Sequence, residues 1–252
     1  MASNSIILIT GANTGLGFET VKALCRSSIA YTILLGGRSL EKANTAAQQA
    51  QTEFPKSPIV IKTVQIDIED DDSISRLFER VSSGQFDQEY YMGKISMREM
   101  WNKSWNINTT STNILTHTFV PLLLKSSDPR LIFITSGTST LEESGIQTLA
   151  VNRSPPAGWP KQPTGVPAYR SSKTGMNMMM REWMRTLKED GVKTWCISPG
   201  YLATGLGGSQ EINKKMGAID PTIGANFVKD VVEGARDHDV GKAIRRDNVQ
   251  PW

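Results

Sequence analysis

Short apolar runs alternate along the chain with longer stretches in which apolar residues recur every three or four positions. The short runs are rich in Val, Ile and Leu and are followed by Gly, Pro, Ser or Asp, a composition typical of strands buried in a parallel sheet. They predict strands over residues 6–9, 31–36, 59–66, 130–135 and 193–198, and a short last strand over 242–245. The longer stretches have the period of amphipathic helices. They predict helices over residues 16–28, 40–53, 71–81, 96–125, 169–189 and 221–236.

Successive predicted strands are joined by segments long enough to hold a helix. Antiparallel strands can be joined by a two-residue hairpin, whereas parallel strands need a crossover of a dozen or more residues. The order therefore predicts an α/β fold with one doubly wound, Rossmann-type parallel sheet and helices on both faces. We expect residues 1–252 to form a single dinucleotide-binding domain, because this length suits one large α/β domain.

The first strand leads directly into a glycine-rich turn, residues 10–17, which read TGANTGLG. Gly11 would permit a tight turn, Gly15 would let a pyrophosphate approach the backbone, and Gly17 would let the helix pack closely on the strand. The free N–H groups at the start of the helix would face this anion. The spacing G-x3-G-x-G differs from the general G-x-G-x2-G fingerprint, so the residues alone leave an ordinary strand–helix loop open.

The residue type after the second strand bears on the choice of dinucleotide. An acid at this position accepts hydrogen bonds from the ribose 2′-OH, whereas an arginine pairs with a 2′-phosphate. Here the strand ends in Gly36, Gly37 and Arg38, with no acid. The sequence therefore favours NADP(H), with a solvated surface arginine as the alternative.

Composition and charge exclude several classes of partner. The net charge of +3 over 252 residues is too small to indicate nucleic-acid binding. No apolar run approaches the roughly 20 residues of a membrane span, and a strand so near residue 1 leaves no room for a signal peptide. Cys25 and Cys196 each lie in an apolar segment, as expected of reduced cysteines in a cytoplasmic protein. His117 and His238 lack ligand spacing, so we expect no metal site.

Several segments, in the same order along the chain, resemble the short-chain dehydrogenase/reductase family. Residues 10–17 resemble its T-G-x3-G-x-G turn, and Tyr169 with Lys173 resembles its Y-x3-K pair. The other matching positions are the strand-end serine, the helix asparagine and the P-G-x3-T segment, here Ser136, Asn108 and Pro199, Gly200 and Thr204. Each match is weak alone, but together they cover nearly all of the chain and indicate a fungal-like or carbonyl-reductase-like member.

The resemblance makes Asn108, Ser136, Tyr169 and Lys173 the expected catalytic residues. Their chemistry suits hydride addition to a carbonyl, which leaves an alkoxide that needs a proton. A phenol has an ordinary pKa of about 10, and a lysine one helical turn away would lower it by favouring the phenolate. Ser136 would hold the carbonyl oxygen. The resemblance implies that Asn108 holds a water linking Lys173 to solvent.

The resemblance also implies which residues contact NADP(H). Asp67 would accept a hydrogen bond from the adenine amino group, Lys173 would bind the nicotinamide ribose, and Thr204 would hold the carboxamide. The full expected set is Gly11, Asn13, Thr14, Gly15, Leu16, Gly17, Arg38, Asp67, Ile68, Tyr169, Lys173, Pro199, Gly200, Leu202 and Thr204.

The chain departs from the family pattern ahead of the long helix predicted over 96–125. The family carries a central fourth strand ending in Asn-Asn-Ala-Gly, and residues 82–96 contain neither this motif nor four consecutive apolar residues. Loss of the strand would open a gap in a parallel sheet and leave two rows of backbone groups unpaired. Either a poor strand over 86–92 fills the gap, or the fourth strand is missing, as in a truncated or alternatively spliced product.

Two further segments are expected to border the substrate. Ser136 and Tyr169 lie further apart than the family often places them, so residues 139–168 are predicted to form an insertion over the substrate mouth, as in some carbonyl-reductase-like members. Residues 204–220 would form a second lid, whose Gly-rich start permits hinge motion. The methionines of the helix over 169–189 are interpreted as core or partner-helix residues. The resemblance implies pairing of the long helices in a homodimer or homotetramer.

These observations favour an NADP-dependent short-chain dehydrogenase/reductase that transfers a hydride between NADP(H) and a small-molecule carbonyl or alcohol, with Tyr169 as proton donor or acceptor. The alternative is a non-catalytic or inactive, truncated dinucleotide-binding protein of the same fold. An isomerase or dehydratase is less favoured, because Ser136, Tyr169 and Lys173 suffice for plain redox chemistry. The sequence does not identify the substrate.

Overall fold

A computed structural model of the chain describes residues 5–66, 85–162, 165–205 and 209–252. In this part of the chain the strands are β1 (Ser5–Ile9), β2 (Tyr31–Gly37), β3 (Val60–Gln65), β4 (Arg130–Ile134), β5 (Lys193–Ile197) and β6 (Ala243–Ile244). The α-helices are α1 (Gly15–Cys25), α2 (Leu40–Glu53), α3 (Gln85–Tyr91), α4 (Met97–Trp105), α5 (Thr112–Leu123), α6 (Pro167–Thr186), α7 (Gln210–Lys215) and α8 (Pro221–Val232). A π-helical turn, Asn106–Ser111, joins α4 to α5.

The contacts within the chain divide it into two compact units. The first consists of residues 1–80 and 201–237, and the second of residues 81–200 and 238–252. In the described residues, each unit has a three-stranded parallel sheet, with the order β1-β2-β3 in the first and β4-β5-β6 in the second. The predicted alternation of parallel strands and helices is confirmed in each unit.

In the first unit the core forms where α1 and α2 pack on β2. The buried side chains of β2 include Ile33 and Leu35, which are fully inaccessible to solvent and belong to one cluster with Val21 and Leu24 of α1. The contribution of α2 consists of small residues, Ala43, Ala46, Ala47 and Ala50. Small side chains allow close packing between α2 and the rest of this cluster.

In the second unit the core lies around β5 and α6. Trp195, Cys196 and Ile197 of β5 are fully buried. The methionines Met176, Met179 and Met180 of α6 share a cluster with Phe133, Cys196 and Ala243. The interpretation of these methionines as core residues is therefore confirmed, whereas Met178 of the same helix is exposed.

Of the two alternatives for this segment, a poor strand over 86–92 is wrong, because residues Gln85–Tyr91 form helix α3. This segment has no β-branched residue, and Asp87 in its first turn suits the positive end of a helix dipole. Residues 67–84 lie outside the described part of the chain. They include the helix predicted over 71–81, the expected cofactor residues Asp67 and Ile68, and the start of the segment over 82–96.

The long helix predicted over 96–125 is interrupted in the middle. Asn106 and Asn108 lie in the π-helical turn, and the hydroxyl of Thr112, just after it, donates to the carbonyl of Ile107, five residues earlier. Asn is a poor residue for a helix interior, which agrees with a break in the regular α-helical ladder at this point. The single helix predicted over 96–125 is therefore divided into α4 and α5 by a turn with wider backbone spacing.

Other expectations are also resolved in the described residues. Residues 139–162 contain two single turns of 3-10 helix, Glu143–Gly145 and Ala150–Asn152. In the segment predicted as a lid, residues 209–220 contain helix α7, which the apolar pattern did not predict. Cys25 and Cys196 are both buried and free. None of the helices described for this chain combines the length and apolarity needed to cross a bilayer.

A substitution at Gly17 tests how closely α1 packs against the turn that precedes it. A Cβ at this position would collide with the backbone carbonyl of Gly11 and approach Ala12 Cα to 3.0 Å. We expect Gly17→Ala to lower the free energy of unfolding by about 1–3 kcal/mol despite the better helix propensity of alanine. Urea unfolding measures the loss. Gly145→Ala is the matched control, because a Cβ there meets no atom within 4 Å. Equal losses in the two variants would contradict this packing.

Candidate active site

The glycine turn of the first unit has the backbone that its sequence predicts. Gly11 and Gly15 adopt φ values of +61° and +55°, which L side chains rarely tolerate. Thr14 is the N-cap residue of α1, but its side chain does not cap the helix, and the first turn carries no acidic residue. The first N–H groups of α1 therefore suit an external anion such as a pyrophosphate.

The glycine turn is attached to the end of β2, where Arg38 lies. The N–H of Ala12 donates to the carbonyl of Gly36 over 2.9 Å. A Cβ on Gly37 would meet Asn13 Oδ1 at 3.2 Å, so the amide of Asn13 lies directly against this glycine. Gln65 Nε2 donates to the Arg38 carbonyl over 3.0 Å and fixes the backbone of this half-buried arginine. The structure thus brings the two parts of the predicted phosphate site together.

Thr204 and Leu202 also lie in the first unit, and both are buried. Leu202 forms a parallel bridge with Ile219. Asn213 Nδ2 donates to the Thr204 carbonyl over 3.0 Å. The Cβ of Thr204 lies 4.0 Å from the place where a Cβ of Gly15 would be. The expected carboxamide-binding threonine is therefore next to the glycine turn.

In the second unit the structure brings Ser136 and Tyr169 together. Tyr169 lies in the first turn of α6, and Ser136 follows the end of β4. Burial raises the pKa of the Tyr169 phenol above its ordinary value, and a side-chain hydrogen bond with Ser136 opposes this rise. Our expectation of a lowered phenol pKa is therefore not met in this structure. The reason is that removal from water disfavours the phenolate.

Lys173 lies one helical turn after Tyr169, on the same face of α6. Its ammonium donates to the carbonyl of Ile134 at the end of β4 over 2.9 Å and lies 5.9 Å from the centre of the Tyr169 ring. Burial lowers the pKa of Lys173 to about 8, and the neighbouring Cys196 thiol opposes this shift. The ammonium is thus directed to a backbone carbonyl, which explains why it does not set the direction of the phenol pKa.

Asn108 contacts α6 through a residue that sequence reasoning missed. In the π-helical turn, Asn108 Nδ2 donates to Ser172 Oγ over 2.9 Å, and Ser172 Oγ donates to the Tyr169 carbonyl over 2.8 Å. Thr109 Oγ1 donates to the Ser172 carbonyl over 3.0 Å. The signal available in the sequence was a serine inside the Y-x3-K segment, where it can bond back to an earlier carbonyl.

The turn after β4 is fixed by a glutamine near the last residue of the chain. Gln250 is 1% exposed, and its Nε2 donates to the Ser136 carbonyl over 3.1 Å. Its Oε1 accepts from Ser198 Oγ over 2.6 Å. Ser139 Oγ donates to the same Ser136 carbonyl over 2.6 Å, and Thr138 N donates to Ser136 Oγ over 3.2 Å. No local sequence pattern indicates Gln250, which is 114 positions from Ser136.

The predicted insertion over 139–168 is anchored to α6 by the residue after Tyr169. Arg170 donates to the carbonyls of Thr138 and Val151, each over 3.0 Å, and to Asn152 Oδ1 over 2.7 Å. A planar guanidinium with five donors can hold three such partners at once. Arg170 therefore connects the start of α6 to both the Ser136 turn and the insertion.

A second arginine holds the other 3-10 turn of the insertion. Arg245 pairs with both carboxylate oxygens of Glu143, and the Nη1–Oε1 distance is 2.8 Å. The hydrogen bonds from this guanidinium lower the pKa of Glu143.

After β5, Pro199 precedes Gly200, whose φ of +107° favours glycine. Pro199 and Gly200 both belong to the expected set of cofactor contacts.

Comparison with known sequences shows one family across most of the chain. The family model described as short chain dehydrogenase matches residues 5–150 and 149–215. The chain is 42% identical over 265 residues to the short-chain dehydrogenase/reductase tropE of Talaromyces stipitatus, covering 100% of this chain and 99% of that protein. It is 43% identical over 270 residues to the short-chain dehydrogenase/reductase eupG of a Phoma species, covering 98% and 97%.

Comparison with solved structures shows the same fold. The NADPH-bound carbonyl reductase from chicken fatty liver matches with a TM-score of 0.71 and 18% identity, covering 100% of both chains. Carbonyl reductase Sniffer of D. melanogaster matches with a TM-score of 0.67 and 18% identity, covering 99% of both. The predicted Rossmann-type α/β fold with helices on both faces is therefore confirmed.

The low pKa of Lys173 predicts a stability difference that depends on pH. The pKa is about 8 in the folded chain, against an ordinary value of 10.5. Between these values the unfolded chain binds more protons, so the contribution of Lys173 to the free energy of unfolding rises with pH. Lys173→Met removes this titration. The stability of the wild type relative to this variant should therefore rise above about pH 8, by at most about 1.4 kcal/mol per pH unit.

Urea unfolding at a series of pH values measures this difference. Lys188→Met, which changes an exposed lysine of the same unit, is the control and should show no such trend relative to the wild type. Parallel stability curves for the wild type and Lys173→Met would contradict the lowered pKa.

Proposed function

The chain belongs to the short-chain dehydrogenase/reductase family, and from this we propose that it transfers a hydride between NADP(H) and a carbonyl or alcohol substrate. The observation that carries the proposal is the placement of the Tyr169 phenol beside Ser136, close enough for Ser136 to lower the pKa of the phenol, with Lys173 one turn further along α6. These are the groups that carbonyl reduction needs: a proton donor, a donor to the carbonyl oxygen and a cation.

In the direction of reduction, the dinucleotide would supply the hydride to the carbonyl carbon. The Ser136 hydroxyl would donate to the carbonyl oxygen and stabilise the negative charge that develops there. Tyr169 would then donate its phenolic proton to this oxygen. Because burial raises its pKa, the phenol is protonated at neutral pH and ready to donate. The Lys173 ammonium would stabilise the resulting phenolate.

NADP(H) is favoured by the residues around the glycine turn. The start of α1 offers backbone N–H groups without a nearby acid, which suits a pyrophosphate. Arg38 would pair with the 2′-phosphate. The relative with NADPH bound in its structure has the same fold. We further propose that residues 139–168 and 204–220 contact the substrate, since Arg170 holds the former beside Tyr169.

The alternative is a dinucleotide-binding protein without turnover. It is favoured by α3, a helix in the segment where the family pattern places the end of its central strand. Such a protein would bind NADPH but reduce no carbonyl and oxidise no alcohol.

Tyr169→Phe separates the two functions. For an enzyme, loss of the phenolic proton should lower kcat about 10²- to 10⁴-fold and change NADPH affinity far less. The absorbance of NADPH measures turnover over a panel of aldehydes, ketones and quinones, with alcohols and NADP for the reverse direction. Tyr90→Phe, in α3, is the control and should turn over like the wild type. A wild type that binds NADPH but is inactive on the whole panel would support the alternative, and an active Tyr169→Phe would refute the proposed role.

Arg38→Ala tests the choice of dinucleotide. Charge-assisted hydrogen bonds to a phosphate contribute about 1.5–3 kcal/mol, so NADPH binding should weaken about 10- to 100-fold while NADH binding changes little. Fluorescence titration with both dinucleotides measures the ratio. Arg26→Ala, at the exposed end of α1, should leave this ratio unchanged. If Arg38→Ala weakened NADPH and NADH equally, the proposed pairing would be wrong.

A further inference from the structure

Helix α6, which carries Tyr169 and Lys173, does not cap its own N-terminus. Its first residue, Pro167, has no N–H, and the preceding Val166 offers no side-chain hydrogen bond. The N–H groups of Ala168 and Tyr169 are in the first turn, where a helix provides no internal acceptor. Ala168 is fully buried, so water does not replace the missing acceptor there.

Asp87 of α3 supplies the cap from 81 positions away in the chain. Its Oδ1 accepts from the Ala168 N–H over 3.0 Å, and its Oδ2 accepts from the Tyr169 N–H over 3.3 Å. Asp87 is fully buried. A buried carboxylate is costly unless it is hydrogen-bonded, and the positive end of the α6 dipole stabilises it further. Both oxygens of this carboxylate are therefore committed to the start of α6.

The peptide groups on both sides of Tyr169 are held from outside the regular helix ladder. Asp87 accepts from its N–H, and Ser172 Oγ donates to its carbonyl over 2.8 Å. Ser172 is itself held by Asn108 over 2.9 Å. These contacts fix the Cα of Tyr169 and hence the point from which its phenol reaches Ser136.

We propose that Asp87 is a positioning residue for Tyr169, which acts by holding the first turn of α6 where the phenol meets the Ser136 hydroxyl. Asp87 does not touch the phenol and is not a catalytic residue. Its effect on turnover rests on the proposed function, whereas its effect on the placement of Tyr169 does not. Burial raises the pKa of Asp87, and the hydrogen bonds from Ala168 and Tyr169 oppose this rise, as expected of a carboxylate that serves as a cap.

Three variants distinguish positioning from general stabilisation. Asp87→Ala removes both acceptors, whereas Asp87→Asn keeps the shape and one acceptor oxygen. Ser96→Ala is the matched control, because Ser96 caps α4 by accepting from the Glu99 N–H, and the side-chain hydrogen bonds described for Ser96 are all with Glu99. All kinetics are measured at a temperature where circular dichroism shows that every variant is folded.

For turnover we expect Asp87→Ala to lower kcat on the order of 100-fold, since a small misplacement of a reacting group has an effect of this size. NADPH affinity should change far less than kcat, because the glycine turn and Arg38 are not altered. Asp87→Asn should recover part of kcat, and Ser96→Ala should keep all of it. An unchanged kcat in Asp87→Ala, or an equal loss in Ser96→Ala, would overturn the proposal.

A second measurement works even if the chain has no turnover. The five tyrosines are replaced by 3-fluorotyrosine, and Tyr169→Phe assigns the Tyr169 signal in the ¹⁹F spectrum. We expect this signal to shift or split in Asp87→Ala, to move less in Asp87→Asn and to stay fixed in Ser96→Ala. A Tyr169 signal that is the same in the wild type and both Asp87 variants would overturn the proposal. An inactive wild type with the expected shifts would reject the proposed function alone.

Discussion

Hydrogen bonding of buried polar groups is the constraint on which the second unit depends. Its candidate site is assembled from polar residues that are buried and that bond to one another or to backbone, among them Asn108, Ser172 and Gln250. A buried donor or acceptor left without a partner costs about 1–3 kcal/mol. Since each of these residues satisfies a group on another element, the turn after β4, the π-helical turn and α6 are held in one arrangement.

The two units place their candidate site residues in the same way. The glycine turn follows β1 and Arg38 follows β2, while Ser136 follows β4 and Pro199 follows β5. Parallel strands in one sheet end at the same edge, so polar residues just after the strands gather there without interrupting the apolar core. The core can therefore be built from residues such as Ile33, Leu35 and Trp195, while the candidate site residues lie just after the strands or, for Tyr169 and Lys173, in α6.

Much of this architecture could be predicted because it follows local rules. Apolar runs indicated β1 to β6 to within a residue or two, and the resemblance of short motifs indicated Ser136 and Tyr169. The helix α3 was missed because a short polar segment has no periodicity that distinguishes it from a poor strand. Asp87 and Gln250 were missed for another reason: their partners lie 81 and 114 positions away, and no local pattern records such a contact.

The phenol pKa shows a different limit of sequence reasoning. The spacing of Tyr169 and Lys173 placed a cation one turn away, as observed, but the direction of the shift depends on burial and on where the ammonium points. Burial is a property of the whole fold and cannot be predicted from the i+4 spacing. Here the effect of burial on the phenol pKa outweighs that of the nearby lysine.

The π-helical turn couples two helices in a way that a regular helix would not. A π turn accommodates one more residue than an α turn, and each residue of an α-helix rotates the chain by about 100°. The extra residue in Asn106–Ser111 is absorbed in this wider turn, which carries Asn108 opposite Ser172. The number of residues in this segment therefore matters as much as their identity, because removing one would replace the wider turn with a regular α-helical turn and alter the backbone that carries Asn108.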